Sequence, residues 1–308
     1  MSLVLPKIDK DGATQGQGPR FFPRVVHLSW KNEEVPSFWQ ESYDNWTKLH
    51  PDWKVILWTD RMLDLLVEQE FPERVAKYKA YPHQIMRVDF ARYCILQLYG
   101  GVYCDLDICP MGSFEPLLRL YESDSFNASV VISESGSPHG SGHSLTNAFM
   151  ISKPNARFWT VVWDVLQDPY KYSPNWKKII GPGSRHYKII FESGPGIINE
   201  ARKEYHKRFF NGSTAGKTDF FELPRQFVQH TPHWHKKPCT APGGLVKLLQ
   251  GGSWHKLDSQ IATYADQVWS SRDTWAVVVS AVLLLVVIVL ATMLGVQTSQ
   301  LKKLKKKS

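Results

Sequence analysis

Cysteine is scarce in this chain, with 4 in 308 residues, and none is spaced as Cys-x-x-Cys. That excludes a zinc ribbon and a dithiol redox motif. Cys94 and Cys104 read as small buried apolar residues, and a Cys109–Cys239 disulfide is left open for an oxidising lumen. A Gly-rich phosphate loop of the P-loop or dinucleotide type is missing, and so is any internal repeat, which removes solenoids and propellers. The first 20 residues hold no apolar stretch of the kind a cleavable signal peptide carries. A basic surface is lacking as well. The formal charge is +8, but Lys302, Lys303, Lys305, Lys306 and Lys307 supply five of those charges. The excess therefore reads as a tail, and no nucleic-acid partner is expected. Long apolar runs are limited to one, Trp275 to Val296.

What is present is concentrated between Gly100 and Ile108, which read Gly-Gly-Val-Tyr-Cys-Asp-Leu-Asp-Ile. An apolar stretch (Ile95, Leu96, Leu98, Tyr99) enters a Gly-Gly turn, and a short β-rich segment follows. In a strand, residues i and i+2 share a face, so Asp105 and Asp107 should converge while Leu106 packs the other way. Two carboxylates held that close repel unless a cation sits between them. Such oxygen ligands suit Mg²⁺ or Mn²⁺, completed by water and substrate phosphates. A pair of solvated turn aspartates is the alternative, and the flanking sequence decides against it.

That flank runs from Tyr81 to Gly100. Ile85, Val88, Ala91, Ile95 and Leu98 recur at three- and four-residue spacing, which predicts an amphipathic helix ending at Gly100. Asp89 and Arg92, three apart, share a helix face. As an exposed ion pair they would contribute at most ~1 kcal/mol, and losing either should then cut turnover far more than stability.

A helix carrying Asp-x-x-Arg, followed by Tyr-Gly-Gly-Val-Tyr and Asp-x-Asp, resembles the donor site of glycosyltransferase family 32, whose members are retaining enzymes of the GT-A fold. The resemblance extends from Phe22 to about Asp258. Pro23 to Trp30 is similar to the family's opening strand, and Trp46 to Trp58 to its next helix and strand. Asn147 to Pro154 resembles the buried strand after the donor site. Phe191 to Gly196 resembles a Ser-Gly-Pro turn, and Gly252-Ser253-Trp254-His255 a closing Ser-Trp-His element. The resemblance implies an α/β GT-A-type nucleotide-sugar-binding fold with a mostly parallel sheet. It also implies that Asp105 and Asp107 hold a divalent metal (Mn²⁺ or Mg²⁺) and the diphosphate, with Ser253 and His255 completing that site. Asp89, Arg92, Arg87, Trp30, Asn147 and Trp254 are implied as substrate-binding residues. Retention follows from the family alone, and with no obvious glutamate nucleophile in the sequence, front-face attack by the acceptor hydroxyl is the default.

Within the family, Tyr-Pro-x-Gln-x-x-Arg-x-Asp-x-x-Arg-Tyr is most similar to the fungal enzymes that mannosylate inositol phosphoceramide. This implies GDP-mannose as donor, inositol phosphoceramide as lipid acceptor, and a membrane-embedded regulatory subunit as a further partner. The rivals are α-1,6-mannosyltransferases acting on protein glycans and a non-catalytic sugar-nucleotide-binding scaffold.

Domain organisation is read as a disordered segment at 1–20, a glycosyltransferase domain at 21–262, a linker at 263–274, a single transmembrane helix at 275–297 and a basic tail at 298–308. At ~1.5 Å rise per residue the apolar run is long enough to cross a ~30 Å hydrocarbon core. The lysine tail favours the cytosolic side, which places the catalytic domain in the lumen of the Golgi or endoplasmic reticulum. The sequons at Asn45, Asn127 and Asn211 have meaning only there. Post-translational insertion of a C-terminal anchor is the opposing reading, with the domain in the cytosol.

Overall fold

Val25-Val26-His27-Leu28 forms a fully buried run at the start of the first strand, as a strand covered on both faces should be. Val25 packs into one apolar cluster, while Val26 and Leu28 pack into a second on the opposite face. The computed structural model describes residues 5–6, 21–135, 144–172, 183–210, 218–230, 239, 245–249 and 259. In chain order the elements are β1 (Val25–Trp30), α1 (Gln40–Leu49), β2 (Lys54–Thr59), α2 (Asp60–Glu70), α3 (Val75–Ala80), α4 (Gln84–Tyr99), β3 (Gly101–Cys104), β4 (Ile108–Pro110), α5 (Glu115–Glu122), β5 (Val130–Glu134), β6 (Leu145–Ser152), α6 (Phe158–Gln167), α7 (Arg185–Glu192), α8 (Pro195–Phe210), β7 (Phe220–Leu223), β8 (Val228–His230) and β9 (Val246–Leu248).

The main sheet has the order β2-β1-β3-β6-β5-β7. β1 is parallel to both of its neighbours, β6 is antiparallel to β3 and to β5, and β7 is parallel to β5. Only β6 therefore opposes the common direction, and the expected α/β architecture with a mostly parallel sheet is what the chain adopts. A smaller sheet, β4-β9-β8, joins the segment after Asp107 to residues 246–248.

One polar side chain sits inside β1 without being stranded. His27 is fully buried; its Nδ1 accepts from the Trp58 indole at 3.0 Å, so the other nitrogen, Nε2, carries the proton and donates to the Gly100 carbonyl at 2.9 Å. Burial pushes its pKa down to about 3, and the ring stays neutral. The same place needs two glycines. Gly100 (φ 62°) and Gly101 (φ 87°) both turn in the left-handed region, and a Cβ on Gly101 would lie 2.5 Å from Val25 Cγ1. Only glycine permits both the dihedral and the approach.

α4 ends at Gly100 as expected, but it is not amphipathic. Every residue from Asp89 to Leu96 is buried, because the helix is packed on all sides through its middle. Ile85, Val88 and Leu98, expected on the core face, are only partly buried. The Cys109–Cys239 disulfide is formed, with Cα atoms 6.0 Å apart, and ties β4 to a residue 130 positions later. Cys94 and Cys104 are buried free thiols. The expected span at 275–297, its linker and the basic tail lie outside the described residues, as does nearly all of 1–20. Among the described residues no helix is long and apolar enough to cross a membrane.

Candidate functional site

A cavity of about 430 Å³ lies where β1, β2 and β3 end. Its wall takes Ser29 and Trp30 from β1, Asp60 from the residue after β2, and Asp105 to Asp107 from the turn after β3. α4 adds Ile85, Val88, Asp89 and Arg92, β6 adds Asn147, and Pro195 comes from the Ser-Gly-Pro turn. Ligands of open α/β sheets bind at this carboxyl edge, and the volume lies within the ordinary range for small-molecule sites, ~300–1,000 Å³.

The Asp89–Arg92 pair is buried, not exposed. Asp89 is 4% and Arg92 3% exposed. Arg92 Nη2 meets Asp89 Oδ1 at 3.3 Å, while Nη1 meets Asp105 Oδ1 at 3.2 Å and donates to the Asn147 carbonyl at 2.8 Å. The guanidinium also lies 4.7 Å from the centre of the Tyr103 ring. Asp89 accepts from Asn147 Nδ2 at 2.9 Å and from Ser193 Oγ at 3.0 Å. Both oxygens are thus engaged. Burial pushes its carboxyl up to about 6, against the pull of Arg92, Ser193 and Asn147. The exposed-pair expectation is overturned because β6 and the Ser193 turn, distant in sequence, close over the helix. Removing Arg92 would leave Asp89 buried without a counter-charge, which costs ~3–5 kcal/mol, whereas removing Asp89 leaves Arg92 its partner Asp105.

Asp105 and Asp107 are not on a strand. β3 stops at Cys104 and the chain turns at once, with Ile108 N–H donating to the Asp105 carbonyl at 2.9 Å. Both aspartates line the cavity by another route, but Leu106, 3% exposed, contributes to the same wall and does not simply pack the other way. Asp105 is a third exposed; it pairs with Arg92 and accepts from the Tyr103 hydroxyl at 3.3 Å. Its carboxyl is raised by burial, which Arg92 opposes. Asp107 is pushed up to about 7, by burial and then by the charge of Asp105. Two oxygen donors, one of them starved of positive partners, fit a hard divalent cation that fills its other positions with water and phosphate oxygens. Backbone pairing steadies this turn: Asp105 N–H donates to Ala148 O, and Leu249 N–H donates to the Asp107 carbonyl at 2.7 Å.

Asp105, Asp107, Asp89, Arg92, Trp30 and Asn147 are therefore brought together. Arg87 does not join them; its Nη2 reaches the Tyr81 carbonyl at 3.4 Å instead. Ser253, Trp254 and His255 lie outside the described residues, although Leu249, four positions before Ser253, is fastened to Asp107. Sequence reasoning missed Asp60, Gln84 and Trp39 in the cavity wall. The position of Asp60 directly after a parallel strand was the available signal. It also missed Ser193 and Tyr93, whose hydroxyl donates to the Ser193 carbonyl at 2.7 Å and accepts from Asn147 Nδ2 at 3.1 Å.

Residues 36–124 match the family model for the glycosyltransferase sugar-binding region containing a DXD motif. A mannosyl phosphorylinositol ceramide synthase of Saccharomyces cerevisiae is 40% identical over 247 residues, covering 79% of this chain and 54% of that protein. Inositol phosphoceramide mannosyltransferase 3 of Schizosaccharomyces pombe is 38% identical over 97 residues, or 32% of this chain and 27% of the relative. The chain spans about half the length of the Saccharomyces relatives it matches. Among solved structures, the ligand-free glycosyltransferase domain from the YGT toxin covers 85% of this chain and 89% of its own, at 11% identity and a TM-score of 0.47.

Proposed function

Residues 36–124 belong to the DXD-containing sugar-binding family of glycosyltransferases, and on that premise we propose that the chain is a membrane-anchored, metal-dependent retaining transferase of GT-A type. It moves mannose from GDP-mannose to inositol phosphoceramide. The observation that carries this reading is the convergence of Asp89, Arg92, Asp105, Asp107, Asn147 and Trp30 on one cavity at the carboxyl ends of parallel strands. The names of the relatives favour the lipid acceptor over a protein glycan.

Arg92 is held firmly cationic. Burial alone would lower its pKa, but Asp105, then Tyr103 and Asp89, more than reverse that. Placed in the wall, it faces the charge that develops on a departing diphosphate. Asp89 and Asn147 fix its orientation beside the donor sugar. Asp105 and Asp107 hold the divalent ion, with Ser253 and His255 proposed to complete its shell. When bound, that ion supplies Lewis-acid stabilisation of the leaving group. The apolar wall of Ile85, Val88 and Ile189 excludes water from the sugar. The Cys109–Cys239 bond supports a lumenal domain in the Golgi or endoplasmic reticulum, because disulfides persist in oxidising compartments. The 275–297 anchor and a membrane-embedded regulatory partner complete the proposal.

The test supplies the membrane-bound chain with GDP-mannose and either inositol phosphoceramide or a protein glycan, with and without chelator. Metal-dependent mannosylation of the lipid is expected. Transfer to the glycan alone would promote the α-1,6-mannosyltransferase reading, and no transfer from any nucleotide sugar would leave the non-catalytic scaffold.

A further inference from the structure

The cavity extends past the groups that handle sugar and diphosphate. The ends of β2, β1 and β3 are neighbours in the sheet, and each spacing is ~4.8 Å, so the end of β2 lies ~10 Å from the end of β3. Asp60 follows β2 directly and lines the same cavity as Asp105 and Asp107. A nucleoside diphosphate is elongated in just this sense, with the base at one end and the phosphates at the other.

From this placement, and resting on the donor reading above, we infer that Asp60 is the base-reading residue of the donor site and selects guanine. The Watson–Crick edge of guanine offers two adjacent donors, N1–H and the N2 amino group, which one carboxylate accepts together. Uracil presents a single N–H between two carbonyl oxygens, and adenine a lone pair at N1; a carboxylate meets repulsion in both. Lys31, also in the wall, supplies a donor for O6 or N7. Trp30 and Trp39, packed edge to face at 4.9 Å, line the same cavity and add aromatic surface for a base.

Asp60 also opens α2, where an acidic residue favours the helix dipole. That role needs no burial, yet Asp60 is half-buried in the cavity wall, and desolvation raises its carboxyl despite a hydrogen bond from Gln84. An acceptor held in a partly dry wall is poised for a donor that arrives with the ligand.

The test measures binding of GDP, IDP and UDP to the full chain with Mn²⁺, for the parent and for Asp60→Asn. IDP lacks only the 2-amino group. The parent should bind GDP about 10-fold tighter than IDP and more tightly still than UDP, the scale of a charge-assisted hydrogen bond. In Asp60→Asn both preferences should collapse through weakened GDP binding, while UDP binding stays within about two-fold. A parent that binds IDP as well as GDP, or prefers UDP, overturns the assignment without need of any variant. So does an Asp60→Asn protein that keeps both preferences. Binding of none of the three nucleotides by the parent would instead refute the donor reading on which this rests.

Discussion

The chain carries two charged pairs on one cavity wall, Asp89 with Arg92 and Asp105 with Asp107, and they are built on opposite plans. Asp89 is sealed in with every oxygen engaged, by Arg92, Asn147 and Ser193. Asp107 lines the same cavity and is pushed up to about 7, by burial and then by the charge of Asp105. The first arrangement spends its polar capacity on the protein itself; the second leaves capacity for something that arrives. A carboxylate in a cavity is thus not one kind of object. Whether it serves the fold or the ligand is read from who already occupies its lone pairs.

Substitutions should separate the two plans. The largest effect is expected for Arg92→Ala, destabilising by ~3–5 kcal/mol because Asp89 is left buried without a counter-charge; Asp89→Ala should cost less, since Arg92 keeps Asp105. Urea unfolding measures it, and a loss under 1 kcal/mol would show the pair to be dispensable to the fold. Asp107→Asn should do the reverse. Transfer should fall more than the ~10–100-fold typical of losing an outer partner of a metal site, with metal affinity lost and the unfolding midpoint unchanged or raised. Asn147→Ala lies between, at ~1–3 kcal/mol for leaving Asp89 one partner short; calorimetry in the absence of ligand reads it directly.

The smallest effect concerns pH. His27 has a folded pKa near 3 against an ordinary 6.5. The unfolded chain therefore takes a proton the folded chain declines, and the stability His27 contributes falls as pH drops below about 6.5. Asp89, raised to about 6, works with opposite sign between about 6 and 4, where the folded state takes the extra proton. The stability advantage of the parent over His27→Asn should therefore shrink between pH 7 and 5, by up to ~1.4 kcal/mol per unit. A constant difference across that range would mean that His27 titrates normally.

Local signals were legible wherever the chain alone determines the outcome. The Gly-Gly turn, the helix up to Gly100, the strand before Trp30 and the Ser-Gly-Pro turn all follow from residues within a few positions of one another. What stayed hidden depends on distant partners. The burial of Asp89 is set by Asn147 and Ser193, more than fifty and a hundred residues away. The all-round packing of α4 likewise needs β6 and α7, so three- and four-residue spacing finds a core face but cannot show that the remaining faces are buried as well. The Asp105–Asp107 turn resembles a strand in sequence because β-rich residues lead into it, whereas a backbone hydrogen bond from Ile108 decides its shape. Two cysteines 130 positions apart gave no local sign that they pair.

The sheet order has a practical consequence for anyone cutting this gene. The segment that matches the family model, 36–124, contains β3 but neither of its sheet neighbours, since β1 precedes it and β6 follows it. Expressed by itself, that stretch would present both long edges of β3 as unpaired backbone, a template for self-association. The smallest fragment that flanks β3 on both sides must start before Val25 and run past Ser152. The stretch most easily recognised in the sequence is therefore shorter than the smallest piece that can be handled at the bench.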